Sequence, residues 1–317
     1  MAKKGTTEAE FVECWQRLGS PSLVARELKI SERKVYDRRK DLEEKGYKLP
    51  TFNNQSTRTK VTVKNHEGRI DLEINNGVVI VFSDAHYFPG IVSTAHKGLL
   101  WAIRELKPEA IICNGDAFDG SSISRHPRIG WDNKPNVLDE LKAVTERLEE
   151  IRQASRTSNL FWPLGNHDSR FETYLAASAP QFQGVNGFAL KDHFPEWRPC
   201  WSVWLNDNVV IKHRWKGGIH ATHNNTVGAG MSIVTGHLHQ LKVTPFSDYK
   251  GRRYGVDTGT LADLYGPQFI DYTEGNPVNW HSGFAVLTFR DGHLLQPELA
   301  EKWDEDQIQF RGEIISV

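Results

Sequence analysis

Four short apolar segments of this chain each end in a polar turn that carries aspartate, asparagine or histidine. The turns are Ser83-Asp84-Ala85-His86, Gly115-Asp116-Ala117-Phe118-Asp119, Gly165-Asn166-His167-Asp168 and Gly236-His237-Leu238-His239. In open α/β sheets, ligands bind where the strands end at their carboxyl edge. The repeated strand-then-turn pattern therefore predicts an α/β fold in which the four turns converge. His237 and His239 are two residues apart, so on an extended segment their rings would project from one face.

The middle of the chain alternates between strand and helix patterns. Its strand patterns lie at 78–82, 110–114 and 159–163, and its helix patterns lie near 94–106, 137–152 and 170–178. This β-α-β order predicts a parallel sheet with right-handed crossovers. After Pro199, short strand patterns follow one another with few helices between them. They predict a second, more antiparallel sheet.

The N-terminal residues predict three short helices. Phe11, Trp15 and Leu18 form one apolar helix face, Ser20-Pro21 can begin a second helix, and Ser31 can cap a third that runs to Glu44. Three helices with a tight turn between the second and third resemble a DNA-binding helix-turn-helix.

Basic residues on the third helix make it a candidate recognition helix. Arg33, Lys34 and Arg38 are its candidate nucleic-acid-binding residues, and Arg39 and Lys40 are also expected to face outward. Residues 1–60 carry 14 Lys and Arg against 9 Asp and Glu, whereas the rest of the chain is acidic. Acidic residues on the same helix oppose phosphate, so a small helical appendage for protein contact is the alternative.

These patterns divide the chain into four parts. Residues 1–50 are the helix-turn-helix domain, 51–75 a linker and hairpin, 76–300 the main domain and 301–317 a C-terminal tail. No stretch has the roughly 18 apolar residues of a membrane helix, and the N-terminus does not resemble a signal peptide. Three widely spaced cysteines imply no disulfide framework. We therefore expect a cytoplasmic protein (host cytoplasm if phage-encoded) that does not associate with membranes.

The order and spacing of the polar turns resemble the calcineurin-like metallophosphoesterase family over about residues 76–290. The resemblance implies a four-layer α/β fold, with two mixed β-sheets packed as a sandwich and flanked by helices. It also implies two divalent metal ions, with Mn²⁺ expected and Fe, Zn or Ni as alternatives. Asp116 would bridge both ions. The implied ligands are Asp84, His86 and His239 for the first ion, and Asn166, His213 and His237 for the second.

The resemblance also bears on the roles of His213 and His167. His213 ends a strand pattern, as the family's isolated histidine does, but His220 and His223 in the following loop are alternatives. His167 is expected to assist departure of the leaving oxygen, with Asp119 fixing its ring. The implied reaction is attack of hydroxide on phosphorus, in line with the leaving alcohol.

One departure from the family bears on the substrate. Protein phosphatases of this family carry arginine directly after the second aspartate of Gly-Asp-x-x-Asp, and here that position is Gly120. Arg125, His126 and Arg128 are substitutes in the same loop, although an exposed polar loop is the simpler interpretation. Tyr87 and Trp215 adjoin the metal-site runs and are candidates for stacking on an unpaired base, although such aromatics more often belong to the core.

The first hypothesis is therefore a phosphodiesterase acting on nucleic acid, a DNA nuclease targeted by its N-terminal domain. The assembly resembles chains encoded by bacteriophages or prophages. A small-molecule phosphodiesterase or phosphomonoesterase is the first alternative. A DNA-binding regulator with an inactive phosphoesterase body is the second, and it is disfavoured because no ligand position is lost. The sequence does not indicate DNA against RNA, endo- against exonuclease action, or an oligomeric state.

Overall fold

The computed structural model describes residues 6–49, 61–62, 68–125, 134–155 and 157–317. The chain divides into two compact units, Met1–Arg58 and Thr59–Val317. The expected linker, residues 51–60, and residues 63–67 of the expected hairpin, which include most of its turn, lie outside the described residues. Among the helices described, none is long and apolar enough to cross a membrane.

The first unit contains three helices, α1 (Glu8–Leu18), α2 (Pro21–Leu28) and α3 (Glu32–Glu44). A capping box between Thr7 and Glu10 begins α1, and the Ser31 side chain accepts a hydrogen bond from the Lys34 N–H at the start of α3. The helices bury a common apolar core that contains Phe11, Trp15, Val24, Val35 and Leu42. The predicted helices are present, and three residues separate α2 from α3.

Two basic side chains of α3 do not project outward as expected. The Arg38 guanidinium lies over the Phe11 ring, 5.4 Å from its centroid, and donates a hydrogen bond to the Thr6 carbonyl. Arg39 lies 4.8 Å from the Trp15 ring centroid and binds Glu43 at 2.8 Å. Cation–π attraction to the rings of α1 holds both groups against the helical core. Arg33 and Lys34 are exposed.

The second unit is built from strands and helices that alternate in its first half. Its described strands are β1 (Val61–Thr62), β2 (Arg69–Leu72), β3 (Gly77–Phe82), β4 (Ala110–Cys113), β5 (Asn159–Pro163), β6 (Arg198–Cys200), β7 (Ser202–Leu205), β8 (Val209–Ile211), β9 (Ser232–Thr235), β10 (Lys242–Asp248), β11 (Gly251–Asp257), β12 (Gly283–Arg290), β13 (His293–Leu294), β14 (Glu298–Asp304), β15 (Gln307–Phe310) and β16 (Glu313–Ser316). Its described α-helices are α4 (Thr94–Leu106), α5 (Val137–Ala154), α6 (Arg170–Ser178), α7 (Ala221–Ala229) and α8 (Ile270–Thr273), and short 3-10 helices lie at Ser121–Ile123, Pro180–Phe182 and Leu190–His193.

The strands form two mixed sheets. One has the order β16-β15-β14-β12-β3-β4-β5-β6, with β13 beside β12, and the strands from β3 to β6 are parallel. The other has the order β1-β2-β7-β8-β9-β11-β10. In the second sheet, β8, β9 and β11 run parallel, while β7–β8 and β10–β11 are antiparallel. The predicted parallel half is confirmed in β3 to β6. The prediction of a more antiparallel second sheet is wrong, because β2–β7, β8–β9 and β9–β11 pair in parallel, and the late strands β12 to β16 join the first sheet by antiparallel pairing instead.

Alternating side chains determine how the layers pack. Along β3, Ile80 and Phe82 point toward α4 and α5, whereas Val79 and Val81 join the core between the sheets. Helix α7 covers the outer face of the second sheet, where β11 comes so close that a Cβ at Gly255 would overlap the Thr222 carbonyl. The arrangement is helix, sheet, sheet, helix, so the four-layer fold class is confirmed.

The prediction of a C-terminal tail at 301–317 is wrong. These residues lie largely in β14, β15 and β16, which extend the first sheet by antiparallel pairing. Ile308 and Phe310 alternate with polar residues and are buried, Ile308 directly against Gly98 of α4. This period-two pattern is a strand signal that a tail would not carry.

A buried carboxyl group at the start of α5 gives the fold a pH dependence. Glu140 is 1% exposed, and its carboxyl accepts hydrogen bonds from the Ser121 N–H (3.1 Å) and hydroxyl (2.6 Å). Burial raises the pKa of Glu140 to about 7, although the Ser121 hydrogen bonds act in the opposite direction.

We predict that Glu140→Gln becomes progressively more stable than the wild type as pH rises from 4 to 8. The unfolded carboxyl loses its proton near 4.5, whereas the folded one keeps it until about pH 7, so ionisation favours unfolding in this window. The difference in free energy of unfolding should grow by roughly 3 kcal/mol, as measured by urea denaturation. Glu146→Gln, on the exposed face of α5, is the control. The prediction is refuted if the difference in free energy of unfolding between Glu140→Gln and the wild type stays constant with pH.

Candidate metal centre

Five loops that follow strands meet at one edge of the sandwich. Three follow β3, β4 and β5 of the first sheet, and two follow β8 and β9 of the second. Backbone hydrogen bonds join them: the Asp84 N–H to the Gly115 carbonyl (2.9 Å), the His86 N–H to the Asp116 carbonyl (2.9 Å), and the Gly236 N–H to the His213 carbonyl (2.8 Å). The predicted convergence of the polar turns is what the structure shows.

One cluster of ligand atoms comes from Asp84, His86 and His239. All three residues are buried. The Nε2 atom of His239 lies 3.1 Å from Asp84 Oδ1, and Asp84 Oδ2 accepts hydrogen bonds from the His237 N–H (2.8 Å) and the Ser83 hydroxyl.

A second cluster comes from Asp116, His213 and His237. The Nε2 atom of His213 lies 3.1 Å from Asp116 Oδ2, and the His213 and His237 ring centroids are 5.3 Å apart. Asp116 also belongs to a third grouping with His86 and His167, so its carboxylate is shared. His220 begins α7 and His223 packs against Phe246, so the structure places His213 rather than either alternative against Asp116.

Several buried nitrogen and oxygen atoms of this cavity have no hydrogen-bond partner among the described residues. His213 Nδ1 lies 2.8 Å from the Asn114 carbonyl, which can only accept, so Nδ1 carries a proton and Nε2, which lies 3.1 Å from Asp116 Oδ2, is the ring nitrogen that would bind a cation. His86 Nδ1 lies 2.9 Å from Asp119 Oδ1, with the same consequence. Asn166 Oδ1 is buried and has no hydrogen-bond partner in the part of the chain that the structure describes. Such a set of acceptors fits cations.

Electrostatics in the cavity lead to the same conclusion. Burial alone would raise the pKa of Asp84, but His239 and His213 outweigh it, and the pKa is about 2. The pKa of Asp116 lies well below its usual range, because attraction to His213 and His167 exceeds the effect of burial. Burial lowers the pKa of His213, yet Asp116 and Asp84 raise it to about 10. The buried carboxylates therefore require positive charge between them, which either a proton or a metal ion supplies.

Asp168 holds the loops that carry these ligands. Its carboxylate accepts hydrogen bonds from the backbone N–H groups of Asp116 (2.8 Å), Phe118 (3.0 Å) and Gly165 (2.8 Å), and from the Trp162 indole (3.0 Å). It is fully buried, so removing it would leave several donors without partners.

The candidate ligands occupy unusual backbone conformations. Positive φ angles are found at Asp84 (52°), His86 (38°), Asp116 (56°), His237 (72°) and His239 (58°). The expectation that His237 and His239 share one face of an extended segment is therefore wrong. Strand β9 ends at Thr235, and both histidines are delivered by left-handed turns that Asp84 fixes through the His237 N–H.

Two glycines make these turns possible by close approach. A Cβ at Gly165 would overlap the Asp116 carboxylate, and a Cβ at Gly236 would overlap the Ser83 hydroxyl and the Asp84 carboxylate. The glycines that open the third and fourth turns thus let backbone pass directly beside the charged groups.

His167 stands beside the clusters with its ring fixed. Its Nδ1 lies 2.7 Å from Asp119 Oδ1, its backbone N–H donates to Asp116 Oδ1 (2.8 Å), and its ring is 22% exposed. Burial lowers the pKa of His167, but attraction to Asp116 and the hydrogen bond to Asp119 exceed that effect and raise it. Asp119 thus orients both His86 and His167.

Several residues that the sequence did not indicate also line the cavity. Arg170, at the start of α6, donates to the Asp119 carbonyl (2.9 Å) and reaches His167 Nε2 (3.2 Å). Its side chain passes over Gly120, where the phosphatase arginine is absent. The only available signal was its position three residues after His167, one helical turn away. Five residues between positions 267 and 280 also line the cavity: Pro267, Gln268, Phe269, Tyr272 and Trp280.

Of the candidate aromatic and phosphate-gripping residues, those that the structure describes do not line the cavity. Tyr87 is buried and its hydroxyl lies 3.1 Å from His96 Nδ1 in the core, so it cannot stack on a base. Trp215 is exposed and packs with Lys216, outside the cavity lining. Arg125 is exposed and does not line the cavity, while His126 and Arg128 lie outside the described residues.

Comparison with known proteins agrees with this geometry. The family model for calcineurin-like phosphoesterases matches residues 77–250. The Gene 54 protein of Mycobacterium phage L5 is 28% identical over 228 residues, which cover 64% of this chain and 85% of that protein. The Gene 54 protein of Mycobacterium phage D29 is 26% identical over 227 residues, with the same coverage. The resemblance to phage-encoded chains is thus confirmed.

Solved structures give weaker similarities. A protein serine/threonine phosphatase from Saccharomyces cerevisiae shares 14% identity over 75% of this chain and 85% of that chain, with a TM-score of 0.38. The phosphoesterase Yfce from E. coli shares 18% identity over 69% of this chain and 97% of that chain, with a TM-score of 0.32. The family assignment does not depend on either.

The two-sheet sandwich and its shared clusters of carboxylate and imidazole define a metal-dependent hydrolase. The chain belongs to the calcineurin-like phosphoesterase family. It is therefore a metal-dependent phosphoesterase, and its family uses divalent metal ions that the clustered residues are suited to hold.

We predict that Asp116→Asn prevents metal binding at both positions, whereas Asp84→Asn removes only one ion. Asp116 belongs to two groupings of ligand atoms and would offset the charge of both ions, whereas Asp84 belongs to one grouping. Mn²⁺ content after gel filtration, measured by mass spectrometry, should fall from two equivalents to none for the first variant and to one for the second.

Asp304→Asn, at an exposed strand end, is the matched control and should retain both equivalents. Circular dichroism checks that each variant folds. If the Asp116→Asn protein still retained two equivalents of Mn²⁺, Asp116 would not be a ligand that both ions require.

Proposed function

We propose that this protein is a phosphodiesterase with two divalent metal ions, preferably Mn²⁺, that cleaves nucleic acid. The observation that carries the proposal is that two clusters of ligand atoms adjoin, Asp84-His86-His239 and Asp116-His213-His237, with Asp116 also grouped with His86 of the first cluster. Two adjacent cations suit an anionic diester, because they neutralise its charge, and, when bound, such ions lower the pKa of water and stabilise the phosphoryl oxygens. Asp84, His86 and His239 would hold one ion, and Asn166, His213 and His237 the other.

His167 is the proposed general acid. Its Nδ1 is fixed by Asp119, so Nε2 is the atom that can deliver a proton to the leaving alcohol oxygen. Attraction to Asp116 and the hydrogen bond to Asp119 raise the pKa of His167, which favours the protonated ring. Arg170 lies beside Nε2 and adds a guanidinium that can contact a phosphate oxygen.

We predict that His167→Ala keeps both metal ions but lowers kcat by about 10²–10⁴ on a dinucleotide, whose leaving group is an alcohol. On a bis-nitrophenyl phosphodiester the loss should be much smaller, because nitrophenolate departs without a proton. Steady-state rates and metal content of the variant test this directly. Equal losses on both substrates would exclude a general acid, and loss of metal would make His167 a ligand.

The proposed nucleic-acid substrate is supported by the N-terminal unit. Its three helices and three-residue turn suit a helix-turn-helix, with Arg33 and Lys34 exposed on α3. Arg38 is less suited to phosphate contact than the sequence indicated, because Phe11 and Thr6 already engage it.

We predict that the Arg33→Glu, Lys34→Glu double variant binds duplex DNA more weakly and with a shallower salt dependence. Each lost phosphate contact lowers the slope of log K against log salt by about 0.9. Fluorescence anisotropy between 50 and 200 mM salt measures the slope. The Lys250→Glu, Arg252→Glu variant is the charge-matched control, because both residues are exposed, Lys250 in the turn before β11 and Arg252 at the start of β11. Identical slopes for the two variants would contradict DNA targeting by this unit.

A small-molecule phosphoesterase is the competing function. The metal cavity holds about 450 Å³, within the range of small-ligand sites. The Mn²⁺-loaded protein should be incubated with labelled single- and double-stranded DNA, RNA and nitrophenyl esters side by side. Cleavage of nucleic acid would support the proposed function. Hydrolysis of the nitrophenyl esters alone would favour the small-molecule phosphoesterase instead.

A further inference from the structure

Part of the metal cavity is formed by uncharged residues that supply no ligand atom. Besides Pro267 and Gln268, three aromatic residues lie there, Phe269, Tyr272 and Trp280, which we call the aromatic wall. Phe269 directly precedes α8, Tyr272 lies within it and Trp280 follows it, so all three come after the polar turns in sequence. The phosphoester chemistry described above makes no use of them.

The rings of the aromatic wall form a series from the metal ligands to the solvent. Phe269 is buried, and its ring centroid lies 5.2 Å from that of His86 and 5.7 Å from that of His239. The Trp280 ring lies 4.5 Å from that of His239 and 5.2 Å from that of Phe269. Tyr272 comes next, 5.9 Å from Trp280 and nearly parallel to it, with an interplanar angle of 21°.

The outer end of the wall is open to solvent. Tyr272 is 77% exposed although it lines the cavity, and Trp280 is partly exposed. Two large rings are therefore displayed nearly parallel to one another beside a charged site. A purely structural contact would instead bury such area, because burying it is favourable.

Backbone hydrogen bonds hold Trp280 in register with the metal ligands. The His281 N–H donates to the His239 carbonyl (2.8 Å), and the Thr260 N–H donates to the His281 carbonyl (3.0 Å). The turn that follows α8 is closed by the Asn276 N–H and the Thr273 carbonyl (2.8 Å). The position of the Trp280 ring is thus set by the same backbone that delivers His239.

We propose that Tyr272 and Trp280 form a stacking subsite for a nucleobase of the nucleotide that adjoins the cleaved phosphate. Aromatic faces bind any base, and bases in a duplex are already stacked on one another, so the subsite selects unpaired strands. Arg170 and Lys134 line the same cavity and place positive charge near the flanking phosphates. This inference rests on the proposed function and specifies its substrate class as single-stranded or frayed nucleic acid.

The test compares an intact single-stranded oligonucleotide with one that carries abasic sites around the cleaved position. Tyr272→Ala is the main variant, because its ring contacts Trp280 rather than a ligand. It should lower kcat/KM on the intact strand by about 5- to 100-fold, the value of one base–aromatic contact, and leave the abasic strand within twofold.

Trp280→Ala should show a larger selective loss, and Trp280→Phe should restore most of it. Trp303→Ala, an exposed tryptophan on β14, is the control.

Two further measurements separate the subsite from the chemistry. Tyr272→Ala should lower hydrolysis of methyl nitrophenyl phosphate, which has no base, by a much smaller factor than cleavage of the intact strand. Anisotropy of a labelled oligonucleotide with the metal-free protein should show weaker binding by Tyr272→Ala for the intact strand only.

Each contrary outcome has a distinct meaning. Equal losses on intact and abasic strands would overturn the subsite and indicate that the rings only pack His239. A wild type that hydrolyses the methyl ester but treats both strands alike would overturn the subsite and leave the phosphodiesterase function intact. A wild type that cleaves no phosphodiester would overturn the proposed function itself.

Discussion

The buried carboxylate of Asp116 is the constraint on which the rest of this site depends. It belongs to two groupings of ligand atoms, accepts the His167 N–H, and lies 3.1 Å from His213 Nε2. A buried negative charge is tolerated only with compensating positive charge and hydrogen bonds. Asp168 fixes the backbone on both sides of it, so the loops after β4 and β5 cannot move apart without losing buried hydrogen bonds. Metal binding thus completes a charge balance that the fold leaves open.

The sandwich makes this arrangement rigid. Two sheets share one apolar core, and their strands end at the same edge, so ligands from distant parts of the chain meet without long flexible loops. Left-handed backbone at Asp84, His86 and Asp116 stores local strain that an isolated turn would release. The packed strands hold it, and the ligand atoms are therefore positioned before any ion binds.

Much of this could be predicted from the sequence, because strand periodicity and polar turns are local signals. The alternation of β3, the helices α4 and α5, and the gathering of the candidate ligands follow from such patterns. What could not be predicted depends on tertiary contacts. The left-handed turns at His237 and His239 are set by Asp84, and Arg38 is turned inward by Phe11. Tyr272 and Trp280 lie in a segment without strong periodicity, so only the fold shows that they reach the cavity.

Anomalous diffraction from crystals grown with Mn²⁺ tests the central claim most directly. Two peaks roughly 3.5–4 Å apart, with the Asp116 carboxylate between them, are the predicted result. A single peak, or two peaks that do not share Asp116, would contradict the account.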